Sequence, residues 1–184
     1  MDENRRPIKD SEEYIPCDTL LLSCGLIPEN ELTKGAGIQL DRVSGGAVVD
    51  GERETEIEGV FACGNVLHVH DLVDYVSEEA VIAGQAAAKY IRGKREKSLV
   101  AKISVDGKIR YTVPQKISEI KDTDIYFRVA NVYRDAKIVV KNGERVLISK
   151  KTQKLAPAEM EKVKLTEEML SSLTEKEISF SIEV

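Results

Sequence analysis

Between residues 59 and 79 the chain carries most of the side chains whose types and spacing suit chemistry. Gly59-Val60-Phe61-Ala62-Cys63-Gly64-Asn65-Val66 reads as a short buried strand, Val60–Ala62, running into a tight turn at Cys63-Gly64-Asn65. The only two histidines follow in Leu67-His68-Val69-His70-Asp71, and an alanine-rich helix begins close behind them. An Asn side chain can hydrogen-bond a ligand hydroxyl. A helix N-terminus offers its free N–H groups and the positive end of its dipole to a negative group. Histidine titrates near neutrality and can carry a proton. His-x-His with Asp71 can also be read as a metal pair, but the pattern is short and common, and no metal site is expected. The plain reading of His68 and His70 is polar loop residues that cap and fill a turn.

Two other groups of reactive types carry less. Asp74, Glu78 and Glu79 lie close together, but at helical spacing they read as the solvated side of the helix. Cys17, Cys24 and Cys63 show neither a CxxC pair nor zinc-like spacing, and their number is odd. Redox disulfide chemistry needs two neighbouring thiols, so all three are expected to pack as small apolar residues.

The elements that must position these residues follow from period and punctuation. Asp18–Ser23 (DTLLLS) is a continuous apolar run, as in a strand covered on both faces of a parallel sheet. It breaks at Cys24-Gly25, and Pro28 follows. Short strands are expected at 38–40, 47–50 and 60–62, with a turn at Ser44-Gly45-Gly46. From about Leu72 to Arg92, Val73, Val76, Ala80, Ala83, Ala87 and Tyr90 recur every three or four residues, which predicts a helix buried along that stripe. Asp71 is its expected N-cap.

Gly93–Ser98 (GKREKS) is a charged linker, and beyond it the period changes from 3.6 to 2. Asp106-Gly107 and Asn142-Gly143 each sit between alternating runs and predict two hairpins. Runs at 124–131, 136–141, 145–149, 161–165 and 177–184 complete the short strands of a small β-sandwich. Tyr111, Tyr126, Phe127, Tyr133 and Phe180 are expected in its core or rim, Lys150-Lys151 and Lys162–Lys164 on its surface, and no chemistry is expected in residues 99–184.

The net charge of −5 and pI near 5.3 argue against nucleic acid or an anionic membrane as the main partner. No stretch approaches a membrane span and the start has no apolar signal core, so a cytoplasmic location is expected.

The run from Cys17 to Asn30 (CDTLLLSCGLIPEN) and the run from Gly59 to Ala80, in that order, resemble the pyridine-nucleotide–disulfide oxidoreductase superfamily. Val49-Asp50 and the acidic turn Thr55-Glu56-Ile57-Glu58 stand between them as the resemblance requires. GNVLHVHDLVDYVSEEA looks like the subgroup of FAD-dependent oxidoreductases associated with glycerol-3-phosphate or amino-acid dehydrogenation. The likeness covers about residues 2–92 and implies FAD, with NAD(P) as its redox partner. It implies that Gly64, Asn65, Val66, His70 and the helix start Asp71-Leu72-Val73 approach the flavin, with Asn65 in place of the family's usual Asp on a ribityl hydroxyl.

The chain departs from the family in having no Gly-x-Gly-x-x-Gly loop for a dinucleotide pyrophosphate. The resulting expectation is an α+β protein. Residues 1–93 would be the C-terminal portion of a Rossmann-type, three-layer FAD/NAD(P)-binding domain, and 99–184 the β-sandwich. Such a chain would be the C-terminal part of an oxidoreductase, incomplete for catalysis alone. It would pair with the remainder of that enzyme, or with itself through residues 14–92. The alternative is a stand-alone interaction module whose β-sandwich docks to a partner.

Overall fold

The computed structural model describes residues 2–3, 6–23, 25–93 and 98–184. Cys24 and residues 94–97, on which a strand end and the linker boundary were expected, lie outside the described residues. The α+β class holds, with the long helix before residue 94 and the named strands after residue 100.

Eight strands follow residue 100: β1 Ala101–Val105, β2 Ile109–Val113, β3 Lys116–Ile117, β4 Thr123–Val129, β5 Tyr133–Asn142, β6 Arg145–Leu155, β7 Glu161–Leu165 and β8 Glu177–Glu183. They form a five-stranded sheet of order β3-β1-β8-β5-β6 and a three-stranded sheet of order β2-β4-β7. Ile125, Phe127 and Val129 of β4 share one apolar core with Ile138 and Val140 of β5 and with Ile178, Phe180 and Ile182 of β8. A short helix, Glu167–Ser171, adds Leu170 to that core and is N-capped by Thr166, whose Oγ1 accepts from the Met169 N–H.

The two expected hairpins part company. Asn142-Gly143 forms one, with Gly143 at φ 57° and β5 paired antiparallel to β6 from Asn142↔Arg145 to Tyr133↔Leu155. Asp106-Gly107 does not, because β1 and β2 belong to different sheets. Gly107 takes no positive φ, as a type I′ turn would demand. Asp106 instead accepts from Lys108 N and Ile109 N with one oxygen and from Ile182 N with the other, so the turn arches from one sheet to the next.

The first half is less regular than its apolar runs predict. Asp18–Ser23 forms no strand, and Leu20, Leu21 and Leu22 stand 73%, 89% and 77% exposed. A strand of this composition is held by neighbours on both edges and both faces, and among the described residues none pairs with it. The expected strands at 38–40, 47–50 and 60–62 shrink to single bridges, Leu40↔Ala47, Asp50↔Lys116 and Glu54↔Phe61.

Among the described residues before 100, the α-helices are α1, Glu31–Gly35, and α2, Val73–Ile91. The long helix stands where the sequence places it, but the buried stripe is a different one. Glu79, Ala83 and Ala86 are buried, whereas Val73 is 75% exposed and Ala80 is also open. Its N-cap is Leu72, with no capping side chain, and not Asp71.

A second, smaller core joins the halves. Ile38, Ala47, Val49 and Leu67 pack against Tyr111 and Val113 of β2. The bulge between Ile109 and Tyr111 makes this possible. It turns Tyr111 and Val113 away from the core that Ile109 enters.

Candidate functional site

The Gly64-Asn65 turn is shaped from three directions. Gly64 has φ 73°, a left-handed backbone that glycine takes without strain, and opens a single 3-10 turn, Gly64–Val66. Asn30, at the end of the Cys17–Asn30 run, is buried and donates to Gly45 O (2.9 Å) and Val66 O (2.8 Å), which ties that run to the turn. Gly46 lies so close beneath Leu67 that a Cβ there would meet the Leu67 carbonyl oxygen at 1.6 Å. The Asn65 Oδ1 accepts from His70 N at 3.1 Å, folding the two-histidine loop back over the turn.

Behind this loop lies a fully buried polar cluster centred on Glu79. Its Oε1 accepts from Arg53 Nε at 2.8 Å and lies 3.2 Å from His68 Nε2. Its Oε2 accepts from Gly64 N at 2.8 Å and lies 3.0 Å from His70 Nε2. The side chains of both histidines are 1% exposed and those of Arg53 and Glu79 are 0%. The expectation that Glu79 belongs to a solvated face is therefore overturned. Tyr75, Glu79, Ile82, Ala83 and Ala86 recur at three and four residues and form the stripe turned inward, and the carboxylate sits within it because four donors meet it there.

Arg53 reaches this position through an unusual backbone. Asp50 Oδ1 accepts from the N–H groups of Glu52 (2.9 Å) and Glu54 (3.0 Å), and the Arg53 N–H donates to Asp50 O. This tight turn holds Arg53 at φ 67°, a left-handed conformation that costs a non-glycine residue about 1–2 kcal/mol. The bridge Glu54↔Phe61 and the Ala62 N–H to Arg53 O bond then seat it beside the strand-like 60–62 segment.

The electrostatics follow from burial against partners. Burial raises the Glu79 carboxyl, but the bonds from His68 and His70 and the Arg53 charge outweigh it and hold the group well below the usual carboxylate range. Burial lowers His68, and the hydrogen bond and charge of the Glu79 carboxylate only partly oppose this. Burial and the Glu79 charge raise the Cys63 thiol, which lies half-buried beside the cluster and is no activated nucleophile.

The β-rich half closes the cluster. Tyr126 faces away from the β4 core residues Ile125 and Phe127, as strand alternation requires. Its ring lies 5.9 Å from His68 and 6.2 Å from His70, and Tyr111 stands 6.1 Å from His68. The Tyr126 hydroxyl donates to Glu78 Oε2 at 2.9 Å, which Lys162 also reaches at 2.9 Å. Arg128 donates to Val69 O (2.9 Å), to Pro157 O (3.2 Å) and to Asp71 Oδ1, while Asp71 Oδ2 accepts from Met160 N. Residues 99–184, from which no chemistry was expected, thus supply one wall.

The residues expected to approach a flavin divide into two sets. Gly64 N, His70 and Asp71 spend their polar groups on Glu79 and on the β-rich half. Asn65, Val66, Leu72 and Val73 face outward, with Leu72 53% and Val73 75% exposed. The first turn of α2 beside them has no side-chain cap. An exposed turn residue and a helix start without a side-chain cap suit a ligand bearing hydroxyls and carbonyl or anionic oxygens.

Sequence reasoning missed Arg53 and Glu79. The competing Tyr75–Glu79–Ile82–Ala86 stripe was a visible signal for Glu79; for Arg53 there was none beyond its place after an Asp-Gly turn. Among the described residues no helix is long and apolar enough to cross a membrane. Residues 2–88 match the family model described as pyridine nucleotide-disulphide oxidoreductase. No curated protein and no solved structure matches the chain.

Proposed function

We propose, from the match of residues 2–88 to the pyridine nucleotide-disulphide oxidoreductase family, that this chain contributes part of the flavin site of an FAD-dependent, NAD(P)-linked oxidoreductase of the glycerol-3-phosphate or amino-acid dehydrogenase-associated subgroup. The observation that carries the reading lies inside that match. On the exposed turn, the Asn65 Oδ1 accepts from the N–H of His70, two residues before Leu72 and the uncapped start of α2.

Asn65 would hold a ribityl hydroxyl, and the helix start would receive a flavin ring oxygen. Bound flavin supplies hydride chemistry. The chain's own part is to orient the cofactor and, through the Tyr126 and Tyr111 wall, to keep water from the loop behind it. With no Gly-x-Gly-x-x-Gly loop in its sequence, the chain leaves the pyrophosphate and nicotinamide contacts to other polypeptide. Binding of FAD by the chain alone is then weak, because immobilising the ligand costs the same while fewer contacts offset it.

The same reading assigns the exposed Tyr14, Ile15, Leu20, Leu21 and Leu22, with Leu72 and Val73, to a contact surface. It meets the remainder of the oxidoreductase or a second copy of this chain, since patches of this kind are rarely left open. Amide chemical-shift mapping with FMN and, separately, ADP tests the site. FMN is expected to move Asn65, Leu72 and Val73, and ADP to move none of them. FMN shifts confined to other residues, or tight stoichiometric FAD binding by the chain, would overturn the half-site reading.

A further inference from the structure

We propose that His68, His70 and Glu79 form a binding site for one divalent transition-metal ion of the class that takes imidazole and carboxylate donors, such as zinc. One donor atom from each of the three residues lies within 4.8 Å of the others. His70 Nε2 stands 3.0 Å from Glu79 Oε2 and His68 Nε2 stands 3.2 Å from Glu79 Oε1. Donors bound to one tetrahedral zinc at its usual bond lengths sit roughly 3.3 Å apart. Each histidine nitrogen is thus near that spacing from one Glu79 oxygen, and one donor atom from each of the three residues falls within 4.8 Å of the others.

The donor types agree with the spacing. Two imidazoles and one carboxylate make the open three-ligand set of catalytic metal centres, with further positions for water or a substrate atom. Outer-shell support for the carboxylate is present. The Arg53 Nε–H and Gly64 N–H each donate to one Glu79 oxygen at 2.8 Å, as the groups behind a ligating carboxylate do.

The Tyr126 ring packs from the other half against both histidines and against Tyr75 of the helix that carries Glu79, so the donors are fixed before an ion arrives. The Arg53 charge works against a cation, and the two Nδ1 atoms have no partner among the described residues. Both features set the affinity below that of a closed structural zinc site. The donor chemistry does not depend on whether flavin binds at Asn65, so the two readings stand or fall separately.

The test uses the full chain, stripped with chelator and titrated with Co2+ and with Zn2+ alone. One equivalent of cobalt is expected, with the visible ligand-field bands of a low-coordinate, nitrogen-bound ion that zinc then displaces. The side-chain nitrogen signals of His68 and His70 should shift together. His70→Ala and His68→Ala, each checked for an unchanged amide spectrum in residues 101–183, should weaken cobalt more than about tenfold, the least that loss of even an outer-shell partner brings. Wild-type protein that takes up less than one equivalent, or histidine signals that do not move, would overturn the site whether or not the variants fold. So would stoichiometric binding that survives His70→Ala, leaving Glu79 and its neighbours a hydrogen-bonded network only.

Discussion

Arg53 and Glu79, 26 residues apart in sequence, meet as an ion pair of 2.8 Å with neither side chain exposed to solvent. The arginine comes from a strained turn and the glutamate from mid-helix, so the pair fixes how α2 lies on the preceding segment. Removing one partner leaves the other's buried charge without its ion-pair partner, at about 3–5 kcal/mol.

Arg53→Met and Glu79→Gln should each lower stability by about that amount, while the double variant should cost clearly less than their sum. Urea denaturation of all four proteins in the presence of chelator measures it. A Glu79→Gln cost under about 1 kcal/mol would mean that water reaches the carboxylate.

Glu52 carries a separate pH dependence. Burial raises its carboxyl, but hydrogen bonds from Lys121 and Lys89 outweigh this and hold it at about 2, below the usual 4.5. A depressed carboxylate stabilises the folded state above its unfolded value, and the gain is lost as pH falls from about 4.5 towards 2. Lys89 and Lys121 are partly exposed, at 45% and 34%, which weakens the pairing. The expected loss is then roughly 2 kcal/mol. Urea midpoints between pH 6 and 2.5 (about the range of the shift) should fall less steeply for Glu52→Gln than for the wild type. Parallel curves would refute the assignment.

Arg128 holds the histidine loop from the opposite half. Arg128→Ala removes its bonds to Val69 O and Asp71 and should cost about 1–3 kcal/mol. Amide exchange should quicken over residues 67–73, whereas the core of β4, β5 and β8 keeps its protection. Exchange that rises equally everywhere would show that the latch is not local.

Residues 99–184 should fold when expressed alone, since the larger core, from Ala101 to Ile182, draws on that segment only. Dispersed amide signals are expected, with Tyr111, Val113 and Tyr126 newly exposed. A collapsed spectrum would mean that the smaller core with Ile38, Val49 and Leu67 is required for folding.

The sequence made some of this visible and hid the rest for definite reasons. Period-2 alternation located most strands, and the β7 bounds agree residue for residue, because one face of each strand is apolar. The Asp106-Gly107 turn misled because a dipeptide fixes a reversal and not the sheet each arm joins; the Asp106 bond to Ile182 N decides that from 76 residues away. Helix α2 was legible as a helix and misread in orientation. It carries two usable stripes, and the buried one contains a carboxylate whose partners Arg53, His68 and His70 are invisible to local spacing. The Gly64-Asn65 turn was recognised, but not that Glu79 would claim the Gly64 N–H.

In the five-stranded sheet, β8 lies in the middle, parallel to β1 on one side and antiparallel to β5 on the other. During synthesis β1 leaves the ribosome with its central neighbour still untranslated, and more than 70 residues must follow before Ile178 can meet Ile103. The β-rich half therefore has no finished intermediate to rest in while it emerges. Until β8 has emerged, β1 and β5 offer open edges to any other nascent chain, and loss of β8 would remove the strand that unites them.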